Sequence, residues 1–229
     1  MQNEQENYNI TPSNSESKLF GLTYRPTPSD RELEWDRTKV LLSKTDSKGN
    51  ILYANESFID VCGYDDFELM DKSHNIIRHP DMPKVIFKIM WEKIQTGEGF
   101  HVVMKNMSKT GRYYWVVNDL KTAKDNFGVL TFTGQQKSVH PDLISKIIEP
   151  LYRKLLQIQV ASGVQSSENY LIGFLEERNM TYTQFIDQLI FTGVDTIQEK
   201  DDTIKVSIPK KKGFFSGFFA DEKPTAKKK

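Results

Sequence analysis

The middle of the chain alternates apolar and polar residues with the period of β-strands. Two such runs, in VLLSKTDSKGNILYAN, flank a turn at Lys48, Gly49 and Asn50, and they predict a hairpin. Three more runs, FHVVMKNMS, RYYWVVNDLKTA and VLTFTGQQKSV, are separated by the turn sequences KTGR and KDNFG. The pattern therefore predicts five antiparallel strands.

Helical spacing replaces this alternation between the second and third strands. ESFIDVCGY and DDFELMDK predict two short helical pieces separated at Gly63. A longer helix, with Gly97 just past its end, is predicted by apolar residues at helical spacing: Ile86, Phe87, Met90, Trp91 and Ile94. Helices gathered on one face of the sheet make this an α+β fold, and a ligand is expected between sheet and helices.

The chain divides into four predicted parts. Residues 1–30, rich in Asn, Ser, Glu, Thr and Pro, predict a disordered leader. Residues 31–140 predict the folded domain, opened by a short cap helix at DRELEW with Asp30 as its N-cap. Residues 141–195 predict helices, and residues 196–229 predict a basic, flexible tail that contains phenylalanines.

Two interpretations of the helices at residues 141–195 are open. An apolar stripe is formed by Ile144, Ile147, Ile148, Leu151 and Leu155, and Pro150 should kink or restart its helix. ENYLIGFLEERN predicts a second helix, and a capping box at Thr181 and Gln184 predicts a third that ends near Gly193. These helices form a docking or dimerisation element, or they simply cover the domain.

Composition narrows the class of protein. The 31 basic and 31 acidic residues give a formal net charge of zero, which gives no indication of a nucleic-acid partner. A single cysteine, Cys62, excludes an internal disulfide and suits a reducing compartment. Without a signal peptide or a long apolar run, the protein is expected to be soluble and cytoplasmic. The aromatic and basic tail permits weak contact with an anionic membrane surface.

The stretch SHNIIRHPDMP concentrates the candidate chemistry. His74 and His79 have no cysteine or carboxylate at zinc-ligand spacing, so no protein-only metal site is predicted. The prolines and Asp81 suit the start of the long helix, with Asp81 accepting hydrogen bonds from its first turn. Arg78 and His79 then stand at the helix entrance, where an anion such as a phosphate fits.

HNIIRHPDMPKVIFKIMW, followed by KTGRYYWV, resembles the flavin-binding PAS domain of bacterial aerotaxis receptors over about residues 40–155. This resemblance implies that residues 31–140 are a PAS sensor domain that binds FAD and reports its redox state. Arg78, His79 and Asp81 match the family's cofactor-binding motif, which Trp91 follows. Phe100 stands where family members often carry a tryptophan near the flavin.

Strand periodicity independently predicts a pocket wall. Phe100, Val102, Met104 and Asn106 fall on one face of their strand, so an apolar surface ends in an amide. Asn106 also matches the family's strand asparagine, and we expect it to contact the flavin ring. Gln135 or Gln136 is expected to add a second amide, and parity alone does not choose between them.

Several functional alternatives accompany the FAD prediction. Haem b, with His74 or His79 as axial ligand, is the rival cofactor. A cofactor-free dimerisation module is a second alternative. A flavoenzyme is disfavoured because no G-x-G-x-x-G follows a strand, so no enzymatic activity is predicted. A light-driven cysteine adduct is also disfavoured, because Cys62 precedes the position that light-sensing relatives use.

The resemblance also implies a partner. Aerotaxis receptors continue into membrane, HAMP and kinase-control segments that this sequence lacks, and the chain is similar to the separate PAS subunits of bipartite energy-taxis systems. We therefore expect it to signal to a chemoreceptor-like membrane transducer on another chain. A homodimer through the C-terminal helices is the alternative partner, if those helices do not simply cover the domain.

Overall fold

The computed structural model describes residues 25–192, 197–200 and 203–206. Its centre is a five-stranded antiparallel sheet in the order β2-β1-β5-β4-β3. The strands are β1 Leu41–Asp46, β2 Ile51–Ala54, β3 Phe100–Met107, β4 Tyr113–Lys124 and β5 Leu130–Ser138. Between β2 and β3 lie α1 Glu56–Cys62, α2 Asp66–Leu69, a 3-10 turn at His74–Ile77, and α3 Lys84–Gln95. The predicted strands and α+β class are confirmed.

Local side chains close the turns that the sequence predicts. In the β1–β2 hairpin, the Asp46 carboxylate accepts hydrogen bonds from the backbone N–H groups of Lys48 and Asn50, both at 2.8 Å. Gly49 takes a φ of 84°, a left-handed conformation that glycine adopts without strain. The Asn55 side chain caps α1, accepting from the Phe58 N–H at 3.0 Å.

The segment before β1 is extended, so the predicted cap helix at DRELEW is wrong. Leu33 N donates to Tyr113 O at 2.7 Å, and Tyr113 N donates to Arg31 O at 3.1 Å. A helix of this length satisfies few of its own hydrogen bonds, whereas the start of β4 offers backbone partners. Ser29 N likewise donates to Gly111 O at 2.9 Å, so the end of the predicted leader is attached to the domain. Leader residues 1–24 lie outside the described residues.

The C-terminal helices begin as the proline predicts. After α4 Pro141–Leu143 and a π-helical turn at Ile144–Ile148, α5 spans Glu149–Glu176 with Pro150 in its first turn. At Gly163, with φ 86° and ψ 171°, α5 breaks, and beyond the break Ser167 Oγ donates to Leu155 O at 2.9 Å. The capping box then opens α6 Tyr182–Thr192, since Thr181 N donates to Gln184 Oε1 and Gln184 N to Thr181 Oγ1.

These helices cover the sheet face that α1 and α3 leave open. Tyr152 Oη donates to Val103 O at 2.7 Å, and its ring lies 6.2 Å from that of Trp115. The apolar stripe, Ile144, Ile147, Ile148, Leu151 and Leu155, is buried. The short helices between β2 and β3 therefore lie on one face of the sheet, as predicted, and the C-terminal helices lie on the other, because this stripe needs an apolar surface to pack on. Dimerisation through the segment stays a prediction.

Part of the predicted flexible tail has regular structure. Strands β6 Ile197–Lys200 and β7 Thr203–Val206 pair as an antiparallel hairpin within the segment from residue 196, whose flexibility stays a prediction. The basic, aromatic part at 207–229 lies outside the described residues. No described helix is long and apolar enough to cross a membrane.

A histidine between two carboxylates connects α6 to the sheet and makes the stability of this contact depend on pH. His101 Nε2 lies 3.2 Å from Asp119 Oδ1, and Nδ1 contacts the Asp187 carboxylate of α6. The hydrogen bond to Asp187 raises the pKa of His101 above its usual 6.5, against the opposing effect of burial. This stabilisation is therefore fully present below about pH 6.5 and disappears as the pH rises through the folded-state pKa.

We expect wild-type protein to lose about 1 kcal/mol or less of unfolding free energy across that window, and His101→Asn to lose less. Urea unfolding at several pH values measures the difference. His140→Asn, which changes an exposed histidine and keeps an N-cap acceptor, is the control. Equal pH slopes for wild type and His101→Asn would contradict the assignment.

Candidate functional site

A cavity of about 90 Å³ lies between the sheet, the 3-10 turn at His74–Ile77 and α3. Its apolar walls include Ile77, Phe87, Met90, Trp91, Ile94, Met104, Leu120 and Phe132. Its polar lining includes Ser43, Thr45, Lys48, His74, Arg78, Asn106 and Asn118, and among the described residues no carboxylate lines it. The cavity is therefore an apolar slot with hydrogen-bonding groups and cations, but without fixed negative charge.

Three buried amides lie together at the cavity: Asn106 and Asn118 line it, and Gln136 contacts Asn106. Asn106 of β3, Asn118 of β4 and Gln136 of β5 are at most 4% exposed. Asn106 Nδ2 donates to Gln136 Oε1 at 3.2 Å. Asn118 Oδ1 and Gln136 Nε2 are buried without a hydrogen-bond partner among the described residues. Since such an atom costs about 1–3 kcal/mol, the cluster is suited to a further partner that both donates and accepts.

Strand register decides which amides meet. Asn118 pairs with Gln136 across β4 and β5, which places Gln136, not Gln135, on the cavity face. A Cβ at Gly134 would lie 2.9 Å from Asn118 Oδ1, so glycine leaves space for that amide. Sequence reasoning missed Asn118, although it shares its strand face with Leu120 and parity along β4 could have found it.

Trp91, a candidate cofactor contact from the sequence, forms a wall of the cavity. Its ring lies edge-on to Phe132, with centroids 5.7 Å apart and an interplanar angle of 80°. A Cβ at Gly49 would come within 3.1 Å of the indole, so only glycine lets the β1–β2 turn approach this closely. The indole is thus held between the sheet and the hairpin turn.

Arg78 joins the cavity to a second depression. A basic groove of about 560 Å³ is lined by Arg25, Lys72, Ser73, Asn75, Ile76, Arg78, His79, Pro80 and Lys84. Ser73, Asn75 and Arg78 line both spaces. The Arg78 guanidinium stacks 3.9 Å above the Phe87 ring, and burial, together with Arg25, lowers the pKa of Arg78. Cations without a lining carboxylate suit a phosphate-bearing ligand.

His79 and Asp81 lie behind the cavity, where their loop covers the edge of β3. The backbone of Arg78 bridges to Asn106, and Asp81 Oδ2 accepts from Lys105 Nζ at 2.7 Å. His79 is 3% exposed and lies edge-on to Tyr113; burial, and secondarily Lys105, lowers the pKa of His79 to about 4. His79 lines the groove, whereas Asp81 lines neither space.

Asp81 does not cap α3, so that prediction is wrong. Its carboxylate is taken up by Lys105, which lies on the strand that the loop covers. The first N–H of α3, from Lys84, donates instead to Gln159 Oε1 of α5 at 2.8 Å. The Asp81 carboxylate thus ties the loop to β3 and does not contact the end of the helix.

Phe100 also lies outside the cavity lining. It is 3% exposed, and its ring stacks on Tyr182 of α6 with centroids 5.6 Å apart. Of the predicted cofactor contacts, the structure brings Arg78, Trp91 and Asn106 together around the cavity. No contact places His79, Asp81 or Phe100 in that group.

His74 lines the cavity but is poorly placed for the haem alternative. Its Nε2 lies 3.0 Å from Ser43 Oγ, and its ring packs against Phe58. Burial lowers the pKa of His74 to about 4, so the imidazole is neutral near pH 7. His79, the other candidate axial ligand, does not line the cavity. No group of three or more His, Cys, Asp or Glu that could hold a metal occurs among the described residues.

Comparison with known proteins finds similarity over the central part of the chain. Residues 51–134 match the model of a family described as PAS fold. The aerotaxis receptor of Escherichia coli (strain K12) is 36% identical over 117 residues, 51% of this chain and 23% of the receptor. The nitrogen fixation regulatory protein of Klebsiella oxytoca is 26% identical over 85 residues, 37% of this chain and 17% of that protein. The chain thus spans less than a quarter of either relative's length.

Solved structures add a weaker likeness. The light-state structure of the blue-light photoreceptor Aureochrome1 LOV covers 48% of this chain and 89% of its own, at 18% identity and a TM-score of 0.44. At that score the likeness carries no functional argument.

The buried, neutral His79 predicts a loss of stability in acid. Because the folded-state pKa is depressed, its contribution is present above about pH 6.5 and is lost as the pH falls towards about 4. We expect His79→Asn to show a smaller drop in unfolding free energy across this window, by about 1 to 3 kcal/mol. Urea unfolding measures it, with His140→Asn as the control. An undiminished drop would mean that His79 does not carry the effect.

Proposed function

The chain contains a PAS domain similar to that of the Escherichia coli aerotaxis receptor, and we propose that this domain senses redox state by holding FAD without a covalent bond. The observation that carries the proposal is the amide cluster, with the buried atoms Asn118 Oδ1 and Gln136 Nε2 unpaired beside an apolar cavity. The pyrimidine edge of a flavin presents both carbonyl acceptors and an N–H donor, which is the complement such amides require.

The walls of the cavity suit a flat, largely apolar ring system. Trp91, Phe132 and Leu120 provide aromatic and aliphatic surface on several sides of the slot. The volume of about 90 Å³ is below the roughly 300 Å³ at which ligand pockets usually begin. A flavin ring would therefore enter only if the lining side chains moved apart.

The basic groove supports a dinucleotide in preference to a bare ring. Its volume of about 560 Å³ lies within the range of roughly 300–1,000 Å³ for ligand pockets. Arg25, Lys72, Arg78 and Lys84 supply positive charge there for a diphosphate. Because Arg78 lines both spaces, one ligand could extend from the amide cluster past Arg78 into the groove.

Strand β3 connects this site to the C-terminal helices. A bound flavin accepts and returns electrons, which changes the charge and hydrogen-bonding capacity of its ring. Asn106 can exchange one hydrogen bond for another after such a change, because its amide group both donates and accepts hydrogen bonds. On the same strand, Val103 O accepts from Tyr152 and His101 contacts Asp187, so a shift of β3 would alter how α5 and α6 pack.

We place this module in bacterial energy taxis, in the cytoplasm, acting on a chemoreceptor-like membrane transducer that is a separate chain. The similarity to the aerotaxis receptor supports this part of the proposal. The output would be a changed contact with that transducer and not the turnover of a substrate. A homodimer and a weak membrane contact through the tail are compatible with it and belong to the same proposal.

The two adjacent glutamines of β5 provide a matched test of the ring site. Gln136 faces the amide cluster, whereas Gln135 faces the opposite side of the sheet. We expect Gln136→Leu to weaken FAD binding about tenfold, the cost of roughly one buried hydrogen bond, and Gln135→Leu to leave it unchanged. Titration of the full chain, followed by flavin fluorescence, measures both. Equal affinities for the two variants, or no FAD binding by wild type, would reject the site.

The basic groove predicts a preference for flavins that carry a diphosphate. Wild-type protein should bind FAD more tightly than riboflavin, because only FAD carries a diphosphate. Arg78→Gln should reduce that preference about tenfold, whereas Arg112→Gln, at an exposed site outside the groove, should not. If Arg78→Gln weakened riboflavin and FAD binding equally, the diphosphate assignment would be wrong.

A further inference from the structure

His74 is a titratable group of the cavity wall that the proposed ring contacts do not use. Its backbone N–H donates to Gly49 O at 2.9 Å, which fixes the start of the 3-10 turn against the β1–β2 hairpin. Its Nε2 lies 3.0 Å from Ser43 Oγ of β1, and Ser43 is 3% exposed. Both residues line the same cavity as Asn106 and Trp91.

The groups around His74 leave a positive charge on it uncompensated. Ser43 faces it from β1 and Phe58 from α1, and neither carries charge. The other titratable residues of the lining are Lys48 and Arg78, both cationic, and no carboxylate among the described residues lines the cavity. Burial without an acidic partner agrees with the lowered pKa of about 4.

A negative charge inside the cavity would reverse this balance. An opposite charge within about 4–6 Å favours the charged form of an ionisable group, most strongly where water is excluded. Among the lining residues, Lys48 and Arg78 are already cationic. His74 is therefore the lining group that is free to take up a proton in response.

We propose that His74 takes up one proton from solvent when reduction places negative charge on a flavin in this cavity. This inference rests on the proposed function. Two electrons, supplied by a reduced carrier of the nicotinamide or quinol class, enter the ring with one proton, and the second proton forms the N–H bond on the imidazole. Two electrons and two protons enter together, and the net charge of the site is unchanged.

The hydrogen bond between His74 and Ser43 couples this protonation to the sheet. When Nε2 of the neutral imidazole lacks a proton, it accepts the Ser43 hydroxyl hydrogen; when Nε2 is protonated, it donates to Ser43 Oγ instead. The hydroxyl must then turn to a new acceptor, and Ser43 lies on β1, which pairs with β5 beside the amide cluster. Acidification would thus favour the reduced state of the flavin, so that the module responds to both electron supply and pH.

Proton uptake per flavin reduction tests the proposal. The midpoint potential of the FAD-loaded full chain is measured by spectroelectrochemical titration from about pH 6 to about pH 8, the range around the usual histidine pKa. We expect the midpoint potential of wild type to vary with pH as it does when two protons accompany two electrons. In His74→Gln it should vary as for one proton per two electrons, because glutamine keeps a hydrogen bond but cannot be protonated. His101→Asn, on the opposite sheet face, should behave as wild type.

Imidazole NMR gives a readout that does not depend on a variant. In labelled wild-type protein, the ring signals of His74 should change from neutral to protonated on reduction. A neutral His74 in the reduced protein, or the same proton count in wild type and His74→Gln, would overturn the inference while leaving FAD binding intact. A full chain that binds no flavin would overturn the proposed function, and the inference with it.

Discussion

The site depends on how the free edge of strand β3 is covered. β3 is the last strand of the sheet, and an uncovered edge strand presents unpaired backbone groups. The RHPDMP loop covers it: Arg78 bridges to Asn106, Met82 Sδ accepts from Lys105 N at 3.2 Å, and Asp81 pairs with Lys105. The arginine at the groove is thus tied by backbone bonds to the strand that carries the central amide.

Because the RHPDMP loop covers the edge of β3, its residues have different structural roles. Arg78 lines the cavity and the groove and His79 lines the groove, whereas Asp81 lines neither space and holds the loop to β3 through Lys105. A substitution at Asp81 would therefore disturb the groove through the position of the loop. Sequence similarity alone groups these residues as a single cofactor motif, and the geometry separates those that can touch a ligand from those that position them.

The sequence predicts the regular elements because period-two and helical spacing are local properties. What it missed depends on partners distant in sequence. The segment at DRELEW became extended because Tyr113 offered it backbone partners, and Asp81 gave up the expected helix cap for Lys105, 24 positions away. Asn118 was overlooked although burial alternates along β4 from Val116 to Leu120, so strand parity would have placed it on the cavity face.

The amide cluster has a thermodynamic cost that argues for a ligand. Leaving Asn118 Oδ1 and Gln136 Nε2 unpaired costs the folded state, and apolar residues of similar shape would avoid that cost. The same cavity keeps Lys48 and Arg78 in its lining without a carboxylate, so its electrostatics favour a guest that gains negative charge. A pocket built to hold one fixed, neutral ligand would need neither feature. A pocket whose guest alternates between charge states uses both, because amides can donate or accept and the cations stabilise the reduced form.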